Sequence, residues 1–196
     1  MKRRDAIKGA LALVFTAYAG TATGQTAVQE RRLKLHNPRF NEDVDVVYWR
    51  DGSYQRDGLD ALNRILRDHY QYWRDQAAGR DPFARSVTDI DRELIDLLYN
   101  IQQEVERLYP NIDSTFNIIS GYRTIETNNI LRRNGGGQAS RSRHTYGDAA
   151  DIRVEGLRTR DLHTIANRMR GRGGVGYYPD DGFVHVDTWR RRNWSG

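Results

Sequence analysis

Two segments in the last third of the chain alternate strictly between apolar and polar positions, and this pattern limits the fold more than any other feature. In Ala149–Val154, Ala150, Ile152 and Val154 fall on one side and Ala149, Asp151 and Arg153 on the other. In Phe183–Thr188, Val184 and Val186 oppose His185 and Asp187. Successive side chains of a strand point to opposite faces, so a period of two reads as strand. Val175–Tyr178 is a third β-rich run, joined to Phe183–Thr188 by Pro179-Asp180-Asp181-Gly182, whose composition suits a hairpin turn. With Val184 and Val186 turned to a core, His185 and Asp187 must share the other face. Adjacent strands lie about 4.8 Å apart, so Asp151 can meet His185 on that face.

The preceding two thirds carry mostly helical spacing. Leu59, Leu62, Ile65, Leu66, His69 and Tyr70 recur at helical intervals, as do Leu94, Leu97, Leu98, Ile101, Val105 and Leu108. Asp91 is placed to cap the second run and Pro110 to stop it. Glu126–Arg133 and Arg160–Met169 also read as helices. Leu33-Lys34-Leu35 and Val44–Trp49, split by Asn37-Pro38-Arg39-Phe40-Asn41, read as a hairpin, after which Asp51-Gly52-Ser53 turns the chain; Phe116–Ser120 reads as a short strand. The expected class is α+β, with a small, mostly antiparallel sheet and helices packed on one face.

The N-terminus carries an address. A basic stretch, Lys2-Arg3-Arg4, precedes an apolar run from Gly9 to Ala19 and then small residues, the pattern of a signal peptide spanning residues 1–24 and cleaved near residues 19–24. The run is about eleven residues long, short of the roughly twenty that span a bilayer. Arg3-Arg4-Asp5-Ala6-Ile7-Lys8 resembles a twin-arginine export signal, with Ala6 where a larger apolar residue is usual. The expectation is a periplasmic protein with no stable membrane insertion after cleavage, exported by the twin-arginine machinery; a general secretory signal is the alternative.

Charge supports no polyanion partner. The formal net charge is +5, but Lys2, Arg3, Arg4 and Lys8 against Asp5 place +3 of it within the signal segment. The remainder gives no reason to expect nucleic acid. The 196 residues suit one domain, residues 25–196, with its own hydrophobic core. The absence of cysteine excludes a disulfide framework, a thiolate metal site and a cysteine nucleophile.

Chemistry concentrates in Ser142-Arg143-His144-Thr145-Tyr146-Gly147-Asp148-Ala149-Ala150-Asp151 and in Phe183-Val184-His185-Val186-Asp187. Zinc is bound well by neutral imidazole and carboxylate, and a catalytic site uses three such ligands with a fourth position for water. Gly147 lets the chain bend so that His144 approaches Asp151. By spacing alone, His144, Asp151 and His185 read either as a metal site or as surface residues with ordinary hydrogen bonds.

The motif S-x-H-x-x-G-x-A-x-D, followed by a strand bearing H-x-D, resembles the zinc D-alanyl-D-alanine peptidases, whose relatives include lysostaphin-type and hedgehog folds. More narrowly, Trp49-Arg50-Asp51-Gly52, Ile119-Ser120-Gly121-Tyr122-Arg123, Gly174-Val175-Gly176-Tyr177-Tyr178-Pro179 and the two segments above resemble the murein endopeptidase K family, from about Leu33 to Trp194. That resemblance implies zinc held by His144, Asp151 and His185 on the sheet face away from the helices. It also implies a hydrolase acting on the peptide stems of peptidoglycan, especially direct diaminopimelate–diaminopimelate cross-links.

Further roles follow from the same resemblance. Arg123 would contact the substrate carbonyl or carboxylate; a structural salt bridge is the alternative. Ser142 would assist substrate binding or hydrogen-bond within the turn. Many carboxypeptidase relatives carry an acid three residues before the last histidine, where this chain has Gly182. Asp187 is the first candidate for general base, with orientation of a zinc-bound imidazole as its other reading; Asp181 is the second candidate. Two other classes stay open beside the endopeptidase: a non-catalytic peptidoglycan-binding module with a structural metal, and a zinc D,D- or L,D-carboxypeptidase. His69 and His163 read as core-edge or surface residues, His36 as part of a turn, and Arg190-Arg191-Arg192 as a solvated tail.

Overall fold

A computed structural model describes residues 29–196; the signal-peptide segment lies outside the described residues. The strands are β1 (Glu30–Asn37), β2 (Glu42–Arg50), β3 (Ser53–Tyr54), β4 (Phe116–Ser120), β5 (Ala149–Val154), β6 (Gly174–Tyr178), β7 (Phe183–Asp187) and β8 (Arg192–Ser195). The helices are α1 (Arg56–Ile65), α2 (His69–Ala77), α3 (Phe83–Ser86), α4 (Arg92–Leu108), α5 (Ile125–Arg133) and α6 (Thr159–Arg168). All eight strands form one sheet in the order β3-β2-β1-β4-β5-β7-β6-β8. The β1–β4 and β6–β8 pairs are parallel and the rest antiparallel. The class is α+β, as the sequence implied.

One face of the sheet carries the core. Leu33 and Leu35 of β1, Phe116 and Ile118 of β4, Ala150, Ile152 and Val154 of β5, and Val184 and Val186 of β7 are buried there. Against them lie the apolar stripes of α1, α4 and α6, with Leu62, Leu94, Leu98, Ile101, Leu162 and Ile165 sealed from water. Each such side chain contributes about 1.5–3 kcal/mol relative to exposure, so the helix-covered face holds the domain together. That leaves the alternate positions of the central strands for other use.

The run from Leu59 to Tyr70 is two helices rather than one. The chain breaks at Leu66–Asp68, and Asp68 starts α2 afresh by accepting a hydrogen bond from the Gln71 N–H at 3.0 Å. The second oxygen of Asp68 accepts from the N–H and hydroxyl of Thr124, at 2.8 and 3.0 Å, and the Tyr122 N–H donates to the Leu66 carbonyl at 2.7 Å. A capping carboxylate that also recruits a distant loop outweighs the continued periodicity. Two smaller expectations are corrected too. His36 lies within β1, and the segment after Trp189 is not a solvated tail, because Arg192–Ser195 pairs with β6 as β8.

Helix α4 holds the last third in place. Asp91 caps it through the Glu93 N–H at 2.9 Å and accepts from the Thr188 hydroxyl at 3.0 Å, while its own N–H donates to the Gly147 carbonyl at 3.0 Å. One residue therefore ties the helix start to the segment after His144 and to the end of β7.

Candidate metal centre

His144 sits in a short 3-10 turn, Arg143–Tyr146, that ends in Gly147 with φ of +74°. A side chain at Gly147 would be strained by that φ and would lie 3.1 Å from the Asp89 carbonyl. Asp151 and His185 are direct partners in the β5–β7 ladder, on the face opposite Ile152 and Val184. The three side chains converge. His185 Nδ1 lies 2.8 Å from Asp151 Oδ1, and His144 Nε2 lies 3.2 Å from both. All three residues are buried.

The outer nitrogens settle what the inner ones present. His144 Nδ1 faces the Gly121 carbonyl at 2.7 Å, which can only accept, so that nitrogen carries the proton. His185 Nε2 faces Asp187 Oδ2 at 3.1 Å and carries its proton for the same reason. With both rings neutral, two imidazole lone pairs and a carboxylate oxygen point at one spot, which a cation can occupy. Burial lowers the pKa of His185, but the hydrogen bonds and charges of Asp151 and Asp187 raise it above the ordinary value, so without a cation its Nδ1 can donate to Asp151 instead. Tetrahedral zinc with ligands at about 2.0–2.1 Å sets its donors about 3.3 Å apart, close to the separations here. Burial, the largest influence, lowers the pKa of His144 and favours the neutral, ligating ring. Burial alone would raise the pKa of Asp151, yet the neighbouring His144 and His185 rings, hydrogen-bonded to it, hold it well below the usual carboxylate range. The donor set fits a divalent metal.

Comparison with known proteins places the chain. A family profile described as peptidoglycan L,D-endopeptidase MepK matches residues 25–194. The chain is 34% identical over 186 residues to the peptidoglycan L,D-endopeptidase MepK of Escherichia coli (strain K12), covering 95% of this chain and 90% of that one. It belongs to the MepK family. The same figures hold for the MepK of Shigella flexneri, and a probable peptidoglycan L,D-endopeptidase MepK of Haemophilus influenzae is 38% identical over 117 residues, 60% of each chain. The MepK-family match takes in all three converging residues and Arg123.

Arg123 follows β4 in the loop that Asp68 recruits. It is 8% exposed, its Nε has no partner, and its only side-chain hydrogen bond among the described residues is a long one, Nη2 to Ser142 Oγ at 3.4 Å. The salt bridge that would make it structural is not formed among the described residues. Burial lowers its pKa, opposed by the charges of Asp151 and Asp68. A buried, weakly paired guanidinium is costly unless an anion arrives. Ser142, also buried, turns its carbonyl to the Thr145 N–H and hydroxyl at 3.1 and 2.8 Å, shaping the turn that carries His144.

Asp187 is fully buried and both of its oxygens are occupied. Oδ1 accepts from the Gly174 and Trp189 N–H groups at 2.7 and 3.0 Å, and Oδ2 from Arg192 Nη2 at 2.7 Å as well as from His185. Burial would raise its pKa, but the hydrogen bonds from His185 and Gly174 and the charges of His185 and Arg192 hold it well below the ordinary value. Asp181 stands exposed on the β6–β7 turn.

Sequence reasoning gave Tyr178 and Trp194 no role at the site and read Arg192 as part of a solvated tail. The Trp194 ring lies 5.1 Å from that of His185, and its N–H donates to the Tyr178 hydroxyl at 2.8 Å. The signal was present in Gly174-Val175-Gly176. Glycine at alternate strand positions leaves one face bare, and a bare face beside a metal-ligand strand is where other groups come close.

Proposed function

We propose that the chain is a zinc-dependent peptidoglycan endopeptidase acting in the periplasm, with His144, Asp151 and His185 as the metal ligands. The observation that carries this reading is the convergence of two imidazole nitrogens and one carboxylate oxygen, each fixed from behind by a hydrogen bond or strand pairing. Zinc in that position supplies a water of lowered pKa, about 7, and polarises a carbonyl. The chain's own residues do the rest. Gly121 and Asp187 hold the ligand rings in one tautomer and orientation. Arg123 offers a planar fork to a carbonyl or carboxylate of the substrate, and Ser142 hydrogen-bonds Arg123 from the side. Asp187, with neither oxygen free, serves to orient His185 rather than to accept a proton from water.

The substrate class comes from the relatives' description as L,D-endopeptidases, and supports the diaminopimelate–diaminopimelate cross-link between stem peptides. Residues 1–24 would direct export through the twin-arginine route, leaving one peptidase domain over residues 25–196. No helix among the described residues is long and apolar enough to cross a membrane. The absence of an acid at Gly182 favours a second reading, a wall-binding module with a structural metal. Arg123 argues against it, because a buried guanidinium with no carboxylate partner among the described residues contributes nothing to a purely structural site.

Elemental analysis of the mature protein, with digestion of purified cross-linked muropeptides, tests the proposal. The expected result is close to one zinc per chain, lost in His144→Ala, Asp151→Ala and His185→Ala, together with cleavage that a chelator abolishes. Binding of muropeptides without cleavage would favour the wall-binding module, and release of a terminal residue alone would make the protein a carboxypeptidase.

A further inference from the structure

The geometry around His185 includes one polar group that the mechanism above leaves unused. Gly176 pairs directly with His185 across the β6–β7 ladder, so Tyr178, two residues on, stands on the same face as the candidate ligands. Gly176 has no side chain, and a Cβ there would lie 2.6 Å from the Trp194 ring. The indole crosses the strand at this bare position and comes to rest against the His185 ring.

Trp194 also determines what the Tyr178 hydroxyl can do. An indole N–H only donates, and a phenol has one proton to give. With Trp194 Nε1 donating to the Tyr178 oxygen at 2.8 Å, the phenol proton is left over, and it finds no acceptor among the described residues. The ring is held flat against Phe183, at 4.5 Å and 17°. The hydroxyl thus lies on the metal face, is held from behind, and has a free proton.

We infer that Tyr178 is a further catalytic residue, whose hydroxyl donates a hydrogen bond to the oxygen of the scissile peptide carbonyl, with Trp194 as the positioning residue that fixes it. The inference rests on the endopeptidase reading. As the carbonyl carbon becomes tetrahedral its oxygen gains negative charge, and a fixed donor is worth most at that moment. The Tyr178 proton stays on Tyr178 throughout. Strand β8 thereby has a function, since it carries Trp194 to the site.

The test compares wild type, Tyr178→Phe and Trp194→Phe for zinc content, muropeptide cleavage and affinity for a non-cleavable phosphonate analogue of the cross-link. Tyr178→Phe should keep its zinc and lower kcat by about 10²–10³-fold, with KM within about twofold. Its phosphonate affinity should fall in parallel with kcat/KM. Trp194→Phe keeps the hydroxyl but loosens it, and should lose less, on the order of tenfold. Tyr178→Phe cleaving at nearly the wild-type rate, or Trp194→Phe losing as much as Tyr178→Phe, would overturn the hydroxyl's role and leave Tyr178 as packing alone. A wild type that holds zinc but cleaves nothing would instead remove the endopeptidase reading, so the two failures are told apart.

Discussion

Asp187 and His185 are two residues apart on one strand, and the carboxylate of the first lies 3.1 Å from Nε2 of the second, on the side of the ring away from Asp151. The arrangement holds His185 Nδ1 as the nitrogen that faces the other two candidate ligands. It also explains why Asp187 is surrounded by Gly174, Trp189 and Arg192, since a carboxylate buried this deeply needs donors at both oxygens.

Asp187→Asn should therefore act through the metal. Zinc affinity should weaken by about 10–100-fold, and muropeptide cleavage should return at saturating zinc. Competition with a chromogenic chelator, together with rates at several zinc concentrations, reads both effects. A loss of rate that persists at full zinc occupancy would restore Asp187 as the general base.

Arg123→Lys keeps the positive charge and removes the planar fork. If the fork engages substrate, kcat/KM should fall by about 10²-fold or more, the scale of losing an aligned donor to developing charge, while zinc content and melting temperature stay near wild type. A drop in melting temperature with unchanged kcat/KM would mean that the buried guanidinium serves the fold.

Gly147→Ala places a side chain at φ of +74°, with the Asp89 carbonyl 3.1 Å from the new carbon. The strain is about 1–3 kcal/mol, and it falls on the turn that carries His144. Lowered stability to denaturant together with weakened zinc binding is the expected pair of results. Unchanged zinc affinity in a destabilised protein would show that the turn can relax without moving the ring.

Asp75 offers a pH test far from the metal. A hydrogen bond from Arg85, then one from Gln71, holds its pKa well below the ordinary carboxylate value in the folded protein. A carboxylate with a depressed folded-state pKa adds stability above its unfolded value of about 3.9, and that stability is lost as pH falls towards the folded value. Asp75→Asn should melt lower than wild type at pH 7, and the gap should narrow below about pH 4. A gap independent of pH would assign the role of Asp75 to packing.

By itself the sequence determined the strand alternation that sets Asp151, His185 and Asp187 on one face and the capped helix that begins after Asp91. Those features are local, because period and capping depend on residues a few positions apart. It also left two roles open for Asp187 and two for Arg123. Only the tertiary structure bore on them, by bringing Arg192 and Trp189 onto Asp187 and by placing no carboxylate partner beside Arg123 among the described residues. Nothing near Arg190-Arg191-Arg192 in the chain announces that Arg192 opens a strand, because β8 exists only through its parallel pairing with β6. The break between α1 and α2 has a similar cause, since Asp68 is shared with Thr124, 56 residues away. Asp151 and His185 were legible as neighbours because strand pairing aligns them, and His144 joined them through the family resemblance; what surrounds the three was not legible, because those groups come from distant segments whose meeting depends on the closed sheet.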